Sequence, residues 1–244
     1  IVLVTGPTGS GKSTTLYATL TRINTVEEHI ITIEDPVERQ LEGIIQGHVN
    51  ERAGMTFAAA LRSMLRQDPD VIMVGEMRDR ETADLAIRAA LTGHLVFSTL
   101  HTNSAAASYT RLADMGCDPF LLTTTIRAIL AQRLIRKLCD RCKVKYRPSE
   151  KDLKSIGLKQ LDGFIYHANT KGCKSCGNDG YTGRAGLYEL LIPNEAINEA
   201  VKNEASAEEV SRIAKGNKMR MLADAARTYV TQGLTSVEEI NRVL

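Results

Sequence analysis

The sequence predicts an α/β fold, a parallel sheet flanked by helices, followed by a cysteine-bearing element and a helical tail. Three observations predict it. Short apolar runs alternate with helix-period stretches through the first half, as when buried strands are joined by crossover helices. A glycine-rich turn links the first apolar run to the first helical stretch. Two C-x-x-C pairs then interrupt the periodicity, which resumes as helix to the end.

Four apolar runs, at residues 1–5, 29–33, 71–74 and 94–99, read as buried strands. Between them, residues 13–23, 56–66 and 81–91 carry helical spacing, the last ending shortly before Gly93, as helices often do. Residues 118–138 read as one long helical pattern, and residues 139–183 lose periodicity. In the tail, Ser206 with Glu209 and Ser236 with Glu239 fit the capping box. The expected organisation is a core at 1–138, a cysteine element at 139–183 and a helical subdomain at 184–244.

At 244 residues, with 43% hydrophobic and 25% charged, the chain matches an ordinary globular protein. No stretch approaches the roughly 20 apolar residues of a membrane-spanning helix. There is no secretory signal, and a chain that opens on a core strand without Met reads as a fragment. A net charge of +2 names no partner. One run is strongly basic: Arg127, Arg133, Arg136, Lys137, Arg141, Lys143, Lys145 and Arg147 against Asp140 alone. It reads as a solvated face, or as a docking surface for an acidic partner or a nucleic-acid backbone.

Gly6, Pro7, Thr8, Gly9, Ser10, Gly11, Lys12 and Ser13 match G-x-x-x-x-G-K-[ST], with Thr14 following, between a predicted strand and a predicted helix. That context is what a phosphate-binding loop requires. Glycines let backbone N–H groups turn onto phosphate oxygens at a helix N-terminus. Lys12 would reach the β/γ-phosphates, and the Ser13 hydroxyl would sit on Mg²⁺.

Ligands of open α/β sheets bind at the carboxyl ends of the strands. The other three strands end there in Glu34-Asp35-Pro36-Val37-Glu38, in Gly75-Glu76-Met77-Arg78-Asp79 and in Leu100-His101-Thr102. Hydrolysis of a γ-phosphate needs a group that orients and deprotonates water. Glu34, Glu38 and Glu76 are the candidates. Gly75 stands where a Walker B strand usually ends in Asp, and Asp70 lies at the wrong end of that strand. The metal and base roles are therefore divided between Glu76 and the 34–38 segment. His101 is placed to hydrogen-bond a γ-phosphate. Arg62, Arg66, Arg78 and Arg111 are candidates to offset transition-state charge.

Cys139, Cys142, Cys173 and Cys176 supply four thiolates, the set that structural zinc prefers. The gap of 30 residues between the pairs exceeds the usual zinc-ribbon spacing, so the intervening chain is expected to fold out as an extension. Disulfides and a redox C-x-x-C are the competing readings. Cys117 stands alone and reads as a small buried residue.

Together GPTGSGKST at residues 6–14, TIEDPVE at 32–38, LRSMLRQDPDVIMVGE at 61–76 and GHLVFSTLHT at 93–102 resemble the secretion-superfamily ATPases, which drive type II secretion and type IV pilus assembly and retraction. The resemblance spans essentially the whole chain. It implies a RecA-like P-loop core, with Glu38 as general base, Glu76 supporting Mg²⁺, His101 sensing the γ-phosphate, and His94 as the other residue of the His box. It also implies ATP as substrate, homo-hexameric rings, N-terminal domains preceding this region, and cytoplasmic work on an inner-membrane platform protein. The tetracysteine element marks the assembly and secretion branch. The expected function is thus an ATP-driven motor for pilin or pseudopilin fibres. The competing reading is a nucleic-acid-translocating ATPase, against which stand few aromatic stacking platforms (Phe 4, Tyr 7, no Trp).

Overall fold

Strand β1 (Val2–Thr5) is aliphatic until its last residue and almost wholly buried, and the first part of the chain is layered around it. The computed structural model describes residues 1–244, which group into two compact units, residues 1–131 with 190–219 and residues 132–189 with 220–244.

In the first unit β1 leads through the glycine-rich turn into α1 (Lys12–Ile23), then β2 (Ile30–Glu34), β3 (Ile45–His48), α2 (Phe57–Met64), β4 (Val71–Val74), α3 (Arg80–Leu91) and β5 (Leu95–Leu100). Helices α4 (Ala107–Asp114) and α5 (Pro119–Thr125) follow, and β6 (Ala128–Leu138) leaves the unit along the chain. Every residue of β2 and β4 is buried, which is why both read as continuous apolar runs rather than alternations. Leu16, Tyr17 and Leu20, on one face of α1, pack with Val4, Ile30, Met73 and Phe97. Side-chain caps start α2 and α3: Thr56 accepts from the Ala59 N–H and Asp79 from the Thr82 N–H.

The second unit contains β7 (Val144–Tyr146), α6 (Glu150–Ser155), β8 (Ile165–His167) and most of β9 (Tyr181–Leu191). The tail helices divide between the units. α7 (Glu195–Lys202) and α8 (Ala207–Gly216) belong to the first, and α9 (Leu222–Thr231) and α10 (Val237–Val243) to the second.

Seven strands form one sheet in the order β3-β2-β4-β5-β1-β6-β9. Strands β1 to β6 pair in parallel, with Val4 opposite Thr99 and Ile33 opposite Val74. Their carboxyl ends therefore share one edge.

The four expected strands form within one residue of their predicted ends. The expected helix over 118–138 does not. Only 119–125 is helical, and from Ala128 the chain is strand β6, parallel to β1 with Val2 opposite Ala128. Ala128-Ile129-Leu130-Ala131 suits a buried helix or a buried strand equally. The outcome is decided by β1, whose open edge needs a hydrogen-bonding partner. Thr123-Thr124-Thr125-Ile126, a β-branched run, weakens the helix just before the switch. Both tail capping boxes form by half: Ser206 and Ser236 cap the Glu209 and Glu239 N–H groups, but the Glu239 carboxylate is engaged elsewhere. The 30-residue insertion forms an antiparallel β7–β8 ribbon with α6 between the strands.

Candidate nucleotide site and cysteine cluster

The glycine-rich loop begins where β1 ends. Gly9 and Gly11 hold φ of 76° and 88°, a region costly to residues with a Cβ. A Cβ on Gly9 would meet nothing within 4 Å, so its conformation demands glycine rather than the space around it. Helix α1 starts at Lys12 with neither a side-chain cap nor an acid in its first turn. No acid in the first turn offsets the partial positive charge of this helix end, as suits an anion site. The Lys12 ammonium donates to the carbonyls of Gly6 at 3.0 Å and Pro7 at 3.2 Å, folded over the same loop. Ser13 and Thr14 are exposed in the first turn.

Two threonines tie this loop to the end of β5. The Thr5 hydroxyl lies 2.6 Å from that of Thr102 and accepts from the Thr102 N–H at 3.0 Å, while Gly6 N–H donates to Leu100. His101 sits between these anchors. Its Nε2 is 3.2 Å from Glu76 Oε1, and Arg78 Nε donates to Glu76 Oε2 at 2.8 Å. Arg78 also reaches Asp35 at 3.3 Å. The ends of β2, β4 and β5 are thus joined by one polar chain, Asp35–Arg78–Glu76–His101, beside the loop. Glu76 is 18% exposed at its side chain.

Gly75 has a steric reason to replace Asp. A Cβ there would lie 3.2 Å from the Ile33 carbonyl oxygen and 3.3 Å from Glu34 Cα. Gly75→Asp should force β2 and β4 apart and cost about 1–3 kcal/mol, read as a lower denaturant midpoint. An unchanged midpoint would show that the sheet edge has room. Asp70, at the amino end of β4, accepts from the His29 N–H at 2.7 Å, far along the strand from the loop.

The three glutamates separate clearly. Glu34 is 4% exposed and tied down: it accepts from Thr32 Oγ1 at 2.6 Å, from Gln46 Nε2 at 3.1 Å and from the Tyr17 hydroxyl. A carboxylate so enclosed is a scaffold, not a water base. Glu38 is exposed, on the loop after β2, and its N–H donates to Tyr17 Oη at 3.1 Å. Burial and the bond to Glu34 raise the Tyr17 pKa, so its hydroxyl stays protonated.

Among the arginines, Arg78 alone reaches the polar chain. Arg62 pairs with Glu81 on α3. Arg66 lies beyond the end of α2 at Met64, and its N–H bonds Ser63, so it does not continue the helix face of Arg62 as the spacing implied. Arg66 and Arg111 are exposed. His94 lies at the opposite end of β5 from His101, its Nδ1 2.9 Å from the Ala89 carbonyl at the end of α3. Tyr17, Gln46 and His48 were not legible as site residues. An aromatic on a core face and polar residues on a short strand carry no motif.

In the second unit the sulfurs of Cys139, Cys142, Cys173 and Cys176 all lie within 4.8 Å of one another, and all four thiols are free. Three of the separations, Cys139–Cys173, Cys142–Cys176 and Cys173–Cys176, are 3.8 Å. Four thiolates about 2.3 Å from a tetrahedral zinc lie about 3.8 Å apart, whereas a disulfide needs about 2.05 Å. The cluster fits the metal and not the disulfide. Burial pushes the Cys176 thiol up, but N–H donors from Cys173 and Gly180 hold it at about 6, an electrostatic setting suited to a thiolate.

The basic run is no uniform face. Arg133 is 7% exposed, Arg136 pairs with Glu239, and Lys143 pairs with Asp140 and lies over the Tyr166 ring. Lys145 and Arg147 flank the Phe164 ring. No helix is long and apolar enough to cross a membrane. Cys117 is buried at 2% exposure.

The family model for type II/IV secretion system proteins matches residues 1–242. Type II secretion system protein E of Pseudomonas aeruginosa is 51% identical over the whole chain, which covers 48% of that protein. Type II secretion system ATPase E of Vibrio cholerae is 49% identical, with 48% of its length covered. Type IV pilus assembly ATPase PilB of Thermus thermophilus is 47% identical over 98% of the chain, which covers 27% of that protein. The chain thus spans about half the length of the type II relatives it matches. Among solved structures, the pilus retraction motor PilT with bound ADP superposes with a TM-score of 0.72 at 35% identity, over 98% of this chain and 59% of that one. The DotB ATPase of Legionella pneumophila gives 0.68 at 26% identity, over 99% and 58%. A family model matched over residues 1–242, and relatives about half identical over the whole chain, make this chain a member of the type II/IV secretion system protein family.

Proposed function

We propose that this chain is the ATP-hydrolysing core of a motor that assembles pilin or pseudopilin fibres in type IV pilus biogenesis or type II secretion. The observation that carries the reading is the single sheet edge holding the phosphate loop, the Asp35–Arg78–Glu76–His101 chain and the exposed Glu38. The relatives named as secretion and pilus-assembly ATPases support it.

Residues 6–14 bind the phosphates, with Lys12 countering their charge. Ser13 and Glu76 would hold Mg²⁺, which would supply positive charge to offset that of the phosphates. Glu38 takes the proton from water, His101 reports the γ-phosphate, and Arg78 orients Glu76. Arg62, Arg66 and Arg111 serve the nucleotide or the boundary between subunits of a hexamer. Cys139, Cys142, Cys173 and Cys176 hold a structural zinc with no open position. The motor works in the cytoplasm against an inner-membrane platform protein, with N-terminal domains preceding this region. The division at 138/139 and 183/184 separates catalytic, zinc and tail functions.

Glu38→Gln in the assembled full-length protein should lower ATP turnover about 100-fold or more while keeping ATP affinity. An unchanged rate would remove Glu38 as the base.

A further inference from the structure

Loop residues 37–41, which carry Glu38, are held by side chains from two other elements. Val37 N–H donates to His48 Nδ1 at 3.3 Å. Gln46 accepts from the Leu41 N–H at 2.6 Å and donates to the Arg39 carbonyl at 3.1 Å. Gln46 and His48 alternate along β3 and so face the same way. Glu38 itself is held by Tyr17, whose hydroxyl accepts its N–H at 3.1 Å and donates to Glu34.

Tyr17 differs from the other holders in where it comes from. It lies on α1, four residues after Ser13 and therefore one turn down the same helix face. Its ring is 5% exposed and packed with Leu16, Leu20, Val4 and Met73, so the hydroxyl cannot move without the helix. On its far side it meets Glu34, which is immobilised by Thr32 and Gln46 as well. A buried carboxylate is costly unless hydrogen-bonded, and here one of its donors, Tyr17, continues to the backbone of Glu38 and another, Gln46, to those of Arg39 and Leu41.

We propose that Tyr17 is a positioning residue that transmits the placement of the phosphate-binding helix to the Glu38 loop, with Glu34 as its anchor. This rests on the reading of Glu38 as the water base. When the first turn of α1 closes on phosphates, Tyr17 fixes the Glu38 backbone relative to it, and loss of the hydroxyl leaves nucleotide binding intact but the base misplaced.

The test is Tyr17→Phe in the assembled full-length protein, a change that keeps the packed ring. The expected result is a kcat lower by about tenfold, the worth of one well-placed hydrogen bond, with KM for ATP and affinity for a non-hydrolysable analogue within about twofold of wild type. Glu34→Gln, which keeps the volume, should give the same split. In a Glu38→Gln background, Tyr17→Phe should cost nothing further, because the group it positions is gone. A merely structural role would instead lower analogue affinity or add to the Glu38→Gln defect, and either result overturns the proposal. A kcat unchanged by Tyr17→Phe, alongside a large Glu38→Gln defect, overturns positioning and leaves the base assignment intact. If Glu38→Gln itself leaves the rate unchanged, the base assignment falls and takes this proposal with it.

Discussion

Cys173→Ser, or a strong chelator, is expected to unfold residues 139–180 and to loosen the whole second unit. The four thiols join the end of β6, at Cys139, to the turn before β9, where Gly180 both donates to Cys176 Sγ and accepts from the Cys139 N–H. The core beneath is small; Leu153, Ile156 and Ile165 are its buried apolar residues from the ribbon and α6. A structural zinc contributes about 10 kcal/mol or more of apparent binding free energy, and in such a site that is folding free energy. The first unit, with its own sheet core, should keep its structure. One zinc per chain by elemental analysis is expected, as is loss of amide protection over 139–180 on chelation. A metal-free protein with undiminished protection, or a Cys173→Ser variant that melts like wild type, would refute the metal assignment.

Removing the Glu239 carboxylate is expected to cost about 3 kcal/mol, because it removes the buried acceptor of two arginines that are themselves only partly buried. Its side chain is fully buried. It accepts from the Arg136 N–H at 2.8 Å and guanidinium at 2.9 Å, and from Arg242 at 2.6 Å. Arg136 also stacks 4.0 Å above the Tyr181 ring, and the Tyr181 hydroxyl lies 3.0 Å from that of Ser236. Helix α10 is thereby locked to β6 and β9. Burial alone would raise the carboxyl pKa, yet the bonds from Arg242 and Arg136 bring it from 4.5 to about 2. A depressed folded-state value means stability that is complete above the unfolded-state pKa and lost as pH falls from about 4.5 to 2, worth about 3 kcal/mol in all. Glu239→Ala should lower the melting temperature of the second unit by roughly 10 °C or more at pH 7. The gap between wild type and Glu239→Gln should shrink below pH 4. A gap that persists to pH 2.5 would mean the charge contributes nothing.

The phosphate loop, the strand-end acids and the cysteine pairs were legible because each is a local pattern whose chemistry demands fixed spacing. The loop needs glycines at set positions before a helix, and a zinc site needs thiols paired with two residues between them. Strand β6 was misread as helix because Ala128-Ile129-Leu130-Ala131 satisfies both periods, and only the open edge of β1 breaks the tie. The three glutamates at the end of β2 and β4 were equivalent as letters. Burial of Glu34 and exposure of Glu38 distinguish them, and burial depends on residues 10 to 20 positions away.

By itself the sequence determined the fold class, the glycine-rich loop at the head of α1 and the grouping of the cysteines in pairs, since these follow from residue type and short-range spacing. The tertiary structure alone decided which acid is scaffold, which arginine reaches Glu76, that Arg133 and Arg136 of the basic run turn inward, and that Tyr17 links α1 to the Glu38 loop. Those are contacts between segments far apart along the chain, and the ones around Glu76 arise from parallel pairing that brings the carboxyl ends of β1 to β6 to one edge.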